Sequence, residues 1–261
     1  MTSLIKYYQP KPTDNYQSYI LFFDKKNVIK QADKSFLKLH INTIDAHTKI
    51  AINNNDEISE FYISPKIKII LCLVEPKKED IFNEKKGGRL FDYLNKKTNN
   101  DYYLLDQNLK SLIDFDNFFL INLLHGLNLK SYKFEKYKTN KKKTIITINV
   151  PFNFKSKFKN KDLRFNSILE GVKFTKDLVS EPGNILHPDE YVSRIKKLTS
   201  LGLKVTILDK KKLKQLGMNA LLGVGQGSIR GSYLAVIEWN GSSRKQQPLA
   251  FVGKGVCFDT G

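Results

Sequence analysis

Phe251-Val252-Gly253-Lys254-Gly255-Val256-Cys257-Phe258-Asp259-Thr260-Gly261 carries an apolar run into two glycines that flank a lysine, with an aspartate five residues beyond it. Leu249 to Val252 has the composition of a short buried strand, and Gly253 and Gly255 let the backbone turn sharply or approach a neighbour closely. Lys254 is thereby expected at the end of a strand, where α/β proteins bind their ligands. A lysine held there can lose enough solvation for its neutral amine to become available to a metal ion. Asp259 supplies a hard oxygen ligand of the kind Zn²⁺, Mn²⁺ or Mg²⁺ accepts. The same two side chains can also close a surface loop as an ion pair, and lysine is a rare metal ligand, so the pair alone leaves both readings open. Chains usually trail off in polar, mobile residues. This one stops within the candidate site, and the expectation is that it is the front part of a longer protein.

Three further segments precede this one in a definite order. They are Phe174-Thr175-Lys176-Asp177-Leu178-Val179-Ser180-Glu181-Pro182-Gly183-Asn184-Ile185-Leu186-His187-Pro188, then Leu216-Gly217-Met218-Asn219-Ala220-Leu221-Leu222-Gly223-Val224-Gly225-Gln226-Gly227-Ser228, then Leu234-Ala235-Val236-Ile237-Glu238-Trp239-Asn240-Gly241. With the terminal stretch they resemble, in order and spacing, the leucyl aminopeptidase (cytosol aminopeptidase) family of two-metal exopeptidases, in its bacterial form. The likeness runs from about Arg164 to the end and is thinner before it, chiefly Ser131 to Lys138. The resemblance makes Lys254 a ligand of one metal ion through its amine and Asp259 a carboxylate that reaches both. It implies two divalent ions per subunit, Mn²⁺ or Zn²⁺, peptide substrates with leucine-like amino-terminal residues, a homo-hexamer and a cytoplasmic location. It also places the remaining acidic ligands, the catalytic lysine and an arginine that holds a bicarbonate downstream of the motif. The catalytic residues are therefore expected outside these 261 residues. With two ligands only, the chain is expected neither to hold a metal pair nor to hydrolyse peptides.

Working backwards, the residues predict an α/β fold in two parts. Residues 1–150 read as a compact α/β domain, macrodomain-like by the resemblance. Its strands fall at Ser18 to Phe23, Lys68 to Val74, Tyr102 to Leu105 and Thr144 to Val150. A helix from Asp80 to Lys97 is interrupted at Gly87-Gly88, and a strongly apolar helix spans Phe115 to Leu129. Residues 151–162, lysine-rich and opened by Pro151, read as a linker. From Leu163 to Gly261 the pattern restarts as the beginning of a catalytic domain, incomplete here. Its helices lie at Leu163 to Val179, stopped by Pro182-Gly183, at Pro188 to Thr199, and at Lys210 to Leu216. Strands at Leu203 to Leu208, Tyr233 to Trp239 and Leu249 to Val252 complete a rhythm that implies a mainly parallel sheet.

Composition removes several other classes. No apolar run approaches the ~18 residues of a membrane span, and Met1 to Tyr19 lacks the core of a signal peptide. Cys72 and Cys257 have no CxxC spacing and read as reduced thiols, and His40, His47, His125 and His187 form no HExxH pair. Gly223-Val224-Gly225-Gln226-Gly227-Ser228 matches neither a P-loop nor a dinucleotide fingerprint, and reads as a structural loop. Glu181 and Asn184 read as bracing a turn, and Trp239 with Tyr233 as core. The net charge of +18 invites a DNA-binding alternative, since some bacterial members of the family bind DNA. Only five of the 44 basic residues are arginine, however, and the charge is spread along the whole chain, as expected for a solvated surface. A third reading is a structural or regulatory subunit that joins a hexamer.

Overall fold

A computed structural model of the protein describes residues 4–9, 18–25, 36–75, 79–98, 100–113, 118–139, 146–242 and 247–257. The chain divides into two compact units, Met1–Phe174 and Thr175–Gly261.

The first unit is built on β2 (Ser18–Phe23) and β4 (Ile67–Leu73), two nearly continuous apolar runs that pair in parallel from Ser18↔Lys68 to Phe23↔Leu73. Strands of this kind are buried on both faces, and their side chains sort by the two-residue period of the pleat. Ile20, Phe22, Ile70 and Cys72 enter one core with the helices α2 (Asp80–Leu94) and α4 (Phe119–Lys130). Tyr19, Leu21, Phe23, Ile69 and Leu71 enter the other with Ile44 and Ala51 of α1 (Phe36–Asn53). Adding β1 (Ile5–Tyr8), β3 (Ile58–Ser64), β5 (Asp101–Leu104) and β6 (Thr147–Pro151) gives a six-stranded sheet in the order β1-β6-β5-β2-β4-β3. Every pairing in it is parallel except β3 with β4. The expected α/β class is thus what the structure has; its mainly parallel sheet lies in this unit, whereas the sequence reading placed one in the part from Leu163 onward. A further helix, α3 (Asp106–Ile113), carries Asn108, whose side-chain amide accepts from the Phe22 N–H and donates to the Phe22 carbonyl, both at 2.8 Å.

Two expectations for this unit are corrected. The helix over Asp80–Leu94 runs unbroken through Gly87 and Gly88. A Cβ on Gly87 would lie 1.9 Å from the Leu123 carbonyl oxygen, and one on Gly126 would lie 1.9 Å from that of Glu84. The glycines therefore let the backbones of α2 and α4 touch, and that packing offsets their helix-propensity cost of about 1 kcal/mol each. Residues 153–161, read as linker, are instead the first turns of α5 (Asn153–Ser180), a 28-residue helix. Phe154 is fully buried, the Phe165 ring stacks on buried His125 at 4.3 Å, and Tyr7 donates to Asp162 at 3.3 Å. These anchors hold a lysine-rich stretch helical where its charge pattern suggested a break.

Lys86, nearly buried on α2, is neutralised by Glu57 at 2.8 Å, which also accepts from Arg89. The Lys86 hydrogen bond, followed by that of Arg89, holds the Glu57 carboxyl below its usual range. A depressed carboxylate contributes stability that is present above its unfolded pKa, near 4.3, and is lost as pH falls through the folded value. We expect Glu57→Gln to cost about 1–2 kcal/mol at neutral pH, less than a fully buried pair because the Glu57 side chain is 41% exposed. Urea titrations of the two proteins should differ most above the unfolded pKa and converge as pH falls through the folded value; an offset unchanged by pH would contradict this.

In the second unit Pro188 begins α6 (Pro188–Lys196), with Asp189 and Glu190 in the first turn, as the sequence predicts; His187, which the sequence did not single out as a cap, is its N-cap. A 3₁₀ turn (Lys197–Leu201) ends at Gly202, whose φ of 85° suits glycine. β7 (Lys204–Leu208), α7 (Lys210–Gln215), α8 (Asn219–Val224) and β8 (Leu234–Glu238) follow. β7 and β8 form an antiparallel pair. The strand expected at Leu249 to Val252 is absent among the described residues. No neighbouring strand pairs with it, and Leu249, Phe251 and Val252 stand 81, 90 and 98% exposed. Trp239, expected in a core, is 77% exposed.

Candidate metal centre

Lys254 lies on the segment 247–257, which forms no helix or strand. Its position is set by Gly255, where a Cβ would come 2.7 Å from the Tyr191 ring of α6. Only glycine lets the backbone pass the ring at that distance. The Lys254 side chain is solvent-exposed, and no ion pair with it occurs among the described residues. Asp259 lies outside the described residues, so the structure does not place the two expected ligands relative to one another. No group of three or more His, Cys, Asp or Glu side chains among the described residues could hold a metal ion. An amine and a carboxylate are suitable donors, but two of them do not hold a pair of ions.

The helix beneath Lys254 is firmly braced. Tyr233 donates to Asp189 Oδ1 at 2.6 Å, and Arg230 donates to Asp189 Oδ2 at 3.2 Å. The Tyr233 bond, then Arg230, hold the Asp189 carboxyl below the usual range. On the next turn Arg194 reaches Glu190 at 2.8 Å and the buried carboxylate of Glu181 at 2.9 Å. Glu181 thus braces the turn at Pro182, as its residue type suggested, and its partner Arg194 sits 13 positions away. Tyr191 against Gly255, and Arg194, Arg230 and Tyr233 on the α6 carboxylates and Glu181, are contacts the sequence did not disclose. Only the i, i+4 spacing of Glu190 and Arg194 gave a local signal. The Gly223-to-Ser228 stretch ends α8 and turns, with Gly225 close against Ser232.

Comparison with known proteins bears on the same region. Residues 173–261 match the family model "Cytosol aminopeptidase family, catalytic domain". This part of the chain is similar to the catalytic domain of the cytosol aminopeptidase family. The match begins within two residues of the division between the compact units. The probable cytosol aminopeptidase of Phytoplasma mali is 49% identical over 161 residues, covering 57% of this chain and 31% of that protein. That of Caulobacter vibrioides is 45% identical over 141 residues, covering 52% of this chain and 29% of that protein. The chain thus spans about three tenths of the length of the curated relatives it matches. A tomato leucine aminopeptidase mutant superposes with a TM-score of 0.66 at 15% identity, covering 88% of this chain and 49% of its own. The bottromycin maturation enzyme BotP, in complex with Mn, superposes with a TM-score of 0.59 at 13% identity, covering 86% of this chain and 45% of its own. At these identities the two structures show shared fold alone.

Proposed function

We propose that these residues form the opening part of the catalytic domain of a cytoplasmic two-metal aminopeptidase that removes leucine-like residues from the amino termini of peptides. The observation that carries this reading is the match of residues 173–261 to the catalytic-domain family. Lys254, through its amine, and Asp259, through its carboxylate, would help to hold the ions. Bound ions would supply an activated water and a polarised scissile carbonyl. The contribution of this chain is placement: Gly255 seats the lysine segment against Tyr191, and the Asp189 and Glu181 bridges hold that helix in place. We expect the 261-residue polypeptide alone, which offers Lys254 and Asp259 as ligands, to turn over no leucine arylamide with or without added Mn²⁺ or Zn²⁺; measurable turnover would contradict this. In the whole protein we infer a homo-hexamer, from the same family likeness.

The test is an exchange: residues 173–261 replace the aligned segment of the Phytoplasma mali relative. The exchanged protein should hydrolyse a leucine arylamide in Mn²⁺ and spare the same compound acetylated on its amine. Lack of hydrolysis by a folded exchange protein, or equal cleavage of the acetylated compound, would count against an aminopeptidase.

A further inference from the structure

We propose that the four lysines of α7 form a docking surface for an anionic lipid bilayer, by which this unit adheres to membranes rich in acidic headgroups. The inference goes beyond the aminopeptidase reading and does not depend on it.

Its basis is a charge arrangement that helices avoid. Lys210, Lys211, Lys212 and Lys214 fill four of the six positions of α7 and are all exposed, around Leu213, the helix's one buried residue. Lys214 stands four residues after Lys210 and three after Lys211, so like charges are neighbours on the helix surface and repel. Lys210 and Lys211 also open the helix, at the end whose dipole disfavours cations. Among the described residues no carboxylate forms an ion pair with any of the four. Elsewhere the chain does the opposite: Lys49 pairs with Asp45 and Lys110 with Asp106, each one turn away, at 2.7 and 2.6 Å. The Asp209 cap, accepting from the Lys212 N–H at 2.9 Å, and the burial of Leu213 hold α7 together against the repulsion. Local rules broken with no gain inside the chain mark functional surfaces.

An anionic partner supplies the missing countercharge, and the make-up of the patch selects a bilayer. From Lys204 to Ser232 there is no aromatic residue on which a base could stack, and the one arginine, Arg230, is engaged with Asp189. Lysine ammoniums are point charges that need no fixed acceptor geometry, as suits a fluid surface of headgroups. Leu216, just past the lysines, is 53% exposed and would enter the interfacial layer beside them. A nucleic acid would leave that leucine in water. Clusters of about four to eight basic residues are an ordinary means of adhering to acidic leaflets, each residue strengthening binding about fivefold.

The test is flotation of the 261-residue chain with vesicles of mixed phosphatidylserine and phosphatidylcholine, at near-physiological salt, against vesicles of phosphatidylcholine alone. The chain should float with the mixed vesicles only. Lys210→Gln, Lys211→Gln, Lys212→Gln and Lys214→Gln combined should weaken binding on the order of a hundredfold. The control removes the same charge from exposed positions of the first unit: Lys66→Gln, Lys85→Gln, Lys96→Gln and Lys138→Gln combined. Charges remote from the bilayer are screened, so this control should weaken binding less than about threefold. Relief of the repulsion should leave the α7 variant at least as resistant to urea as the unchanged chain, so that its loss of flotation is not a loss of fold. A less resistant α7 variant would contradict the unfavourable charge arrangement on which the proposal rests. Equal weakening by both sets of substitutions, flotation with phosphatidylcholine alone, or duplex DNA held by the same four lysines more tightly than the mixed vesicles would overturn it. Flotation needs no turnover, so this proposal and the aminopeptidase reading fail separately.

Discussion

Asp259→Ala in the exchanged protein is expected to abolish stoichiometric metal and to lower turnover of a leucine arylamide by several orders of magnitude. A carboxylate that bridges two ions contributes to both, and its loss leaves each short of a ligand and less able to hold the water between them. On the proposed assignment Lys254→Ala would remove a neutral amine from one ion only, so the smaller loss of the two is expected, with one ion retained. Lys254→Arg should not rescue, because a guanidinium stays protonated and offers no lone pair. Elemental analysis after dialysis, run beside the kinetics, checks the ranking. Full metal content in the aspartate variant would remove Asp259 from the ligand set.

Gly126→Ala is expected to be the most damaging single substitution in the first unit. The added Cβ would meet the Glu84 carbonyl oxygen at 1.9 Å, and that oxygen belongs to the backbone of α2. No side chain can move to relieve the contact, so the two helices must separate. The interface they share includes the fully buried Asn83 and Asn122, with Asn122 donating to Asp80. Parting them loosens polar groups that have no water to turn to. A cost of about 4 kcal/mol or more follows, against a total stability of about 5–15 kcal/mol for an ordinary domain. Gly171→Ala is the matched control. It lies in α5 with open space where the Cβ would go, and should gain about 0.5–1 kcal/mol. Urea denaturation of the two variants should move in opposite directions; equal shifts would contradict the close approach of α2 and α4.

These outcomes also mark what the residues disclosed in advance. The paired runs of β2 and β4 were legible because parallel strands buried on both faces carry apolar residues at nearly every position. α1 was not legible. Its buried stripe is Ile44, Thr48 and Ala51, and the threonine in the middle, bonding back to the Ile44 carbonyl at 2.7 Å, breaks the apolar pattern. Gly87 and Gly88 read as a helix break because propensity is local, whereas the contact that makes glycine necessary at Gly87 lies on the other helix. In the second unit, Lys254 and its flanking glycines were visible as a motif. The reason for Gly255 is the Tyr191 ring, 64 positions away in the chain, which no local pattern encodes. The strand at Leu249 to Val252 and a buried Trp239 were inferred from apolar composition, which states what a segment is fit to bury and not whether a partner is at hand.

The central claim is that Lys254 and Asp259 bind metal and do not simply pair with one another. Anomalous diffraction from crystals of the exchanged protein, collected at the Mn or Zn edge, addresses it directly. We expect two peaks about 3.5–4 Å apart, one about 2.1 Å from the Lys254 amine and both touching the Asp259 carboxylate. A Lys254 ammonium hydrogen-bonded to Asp259, with no anomalous peak beside either, would contradict the account.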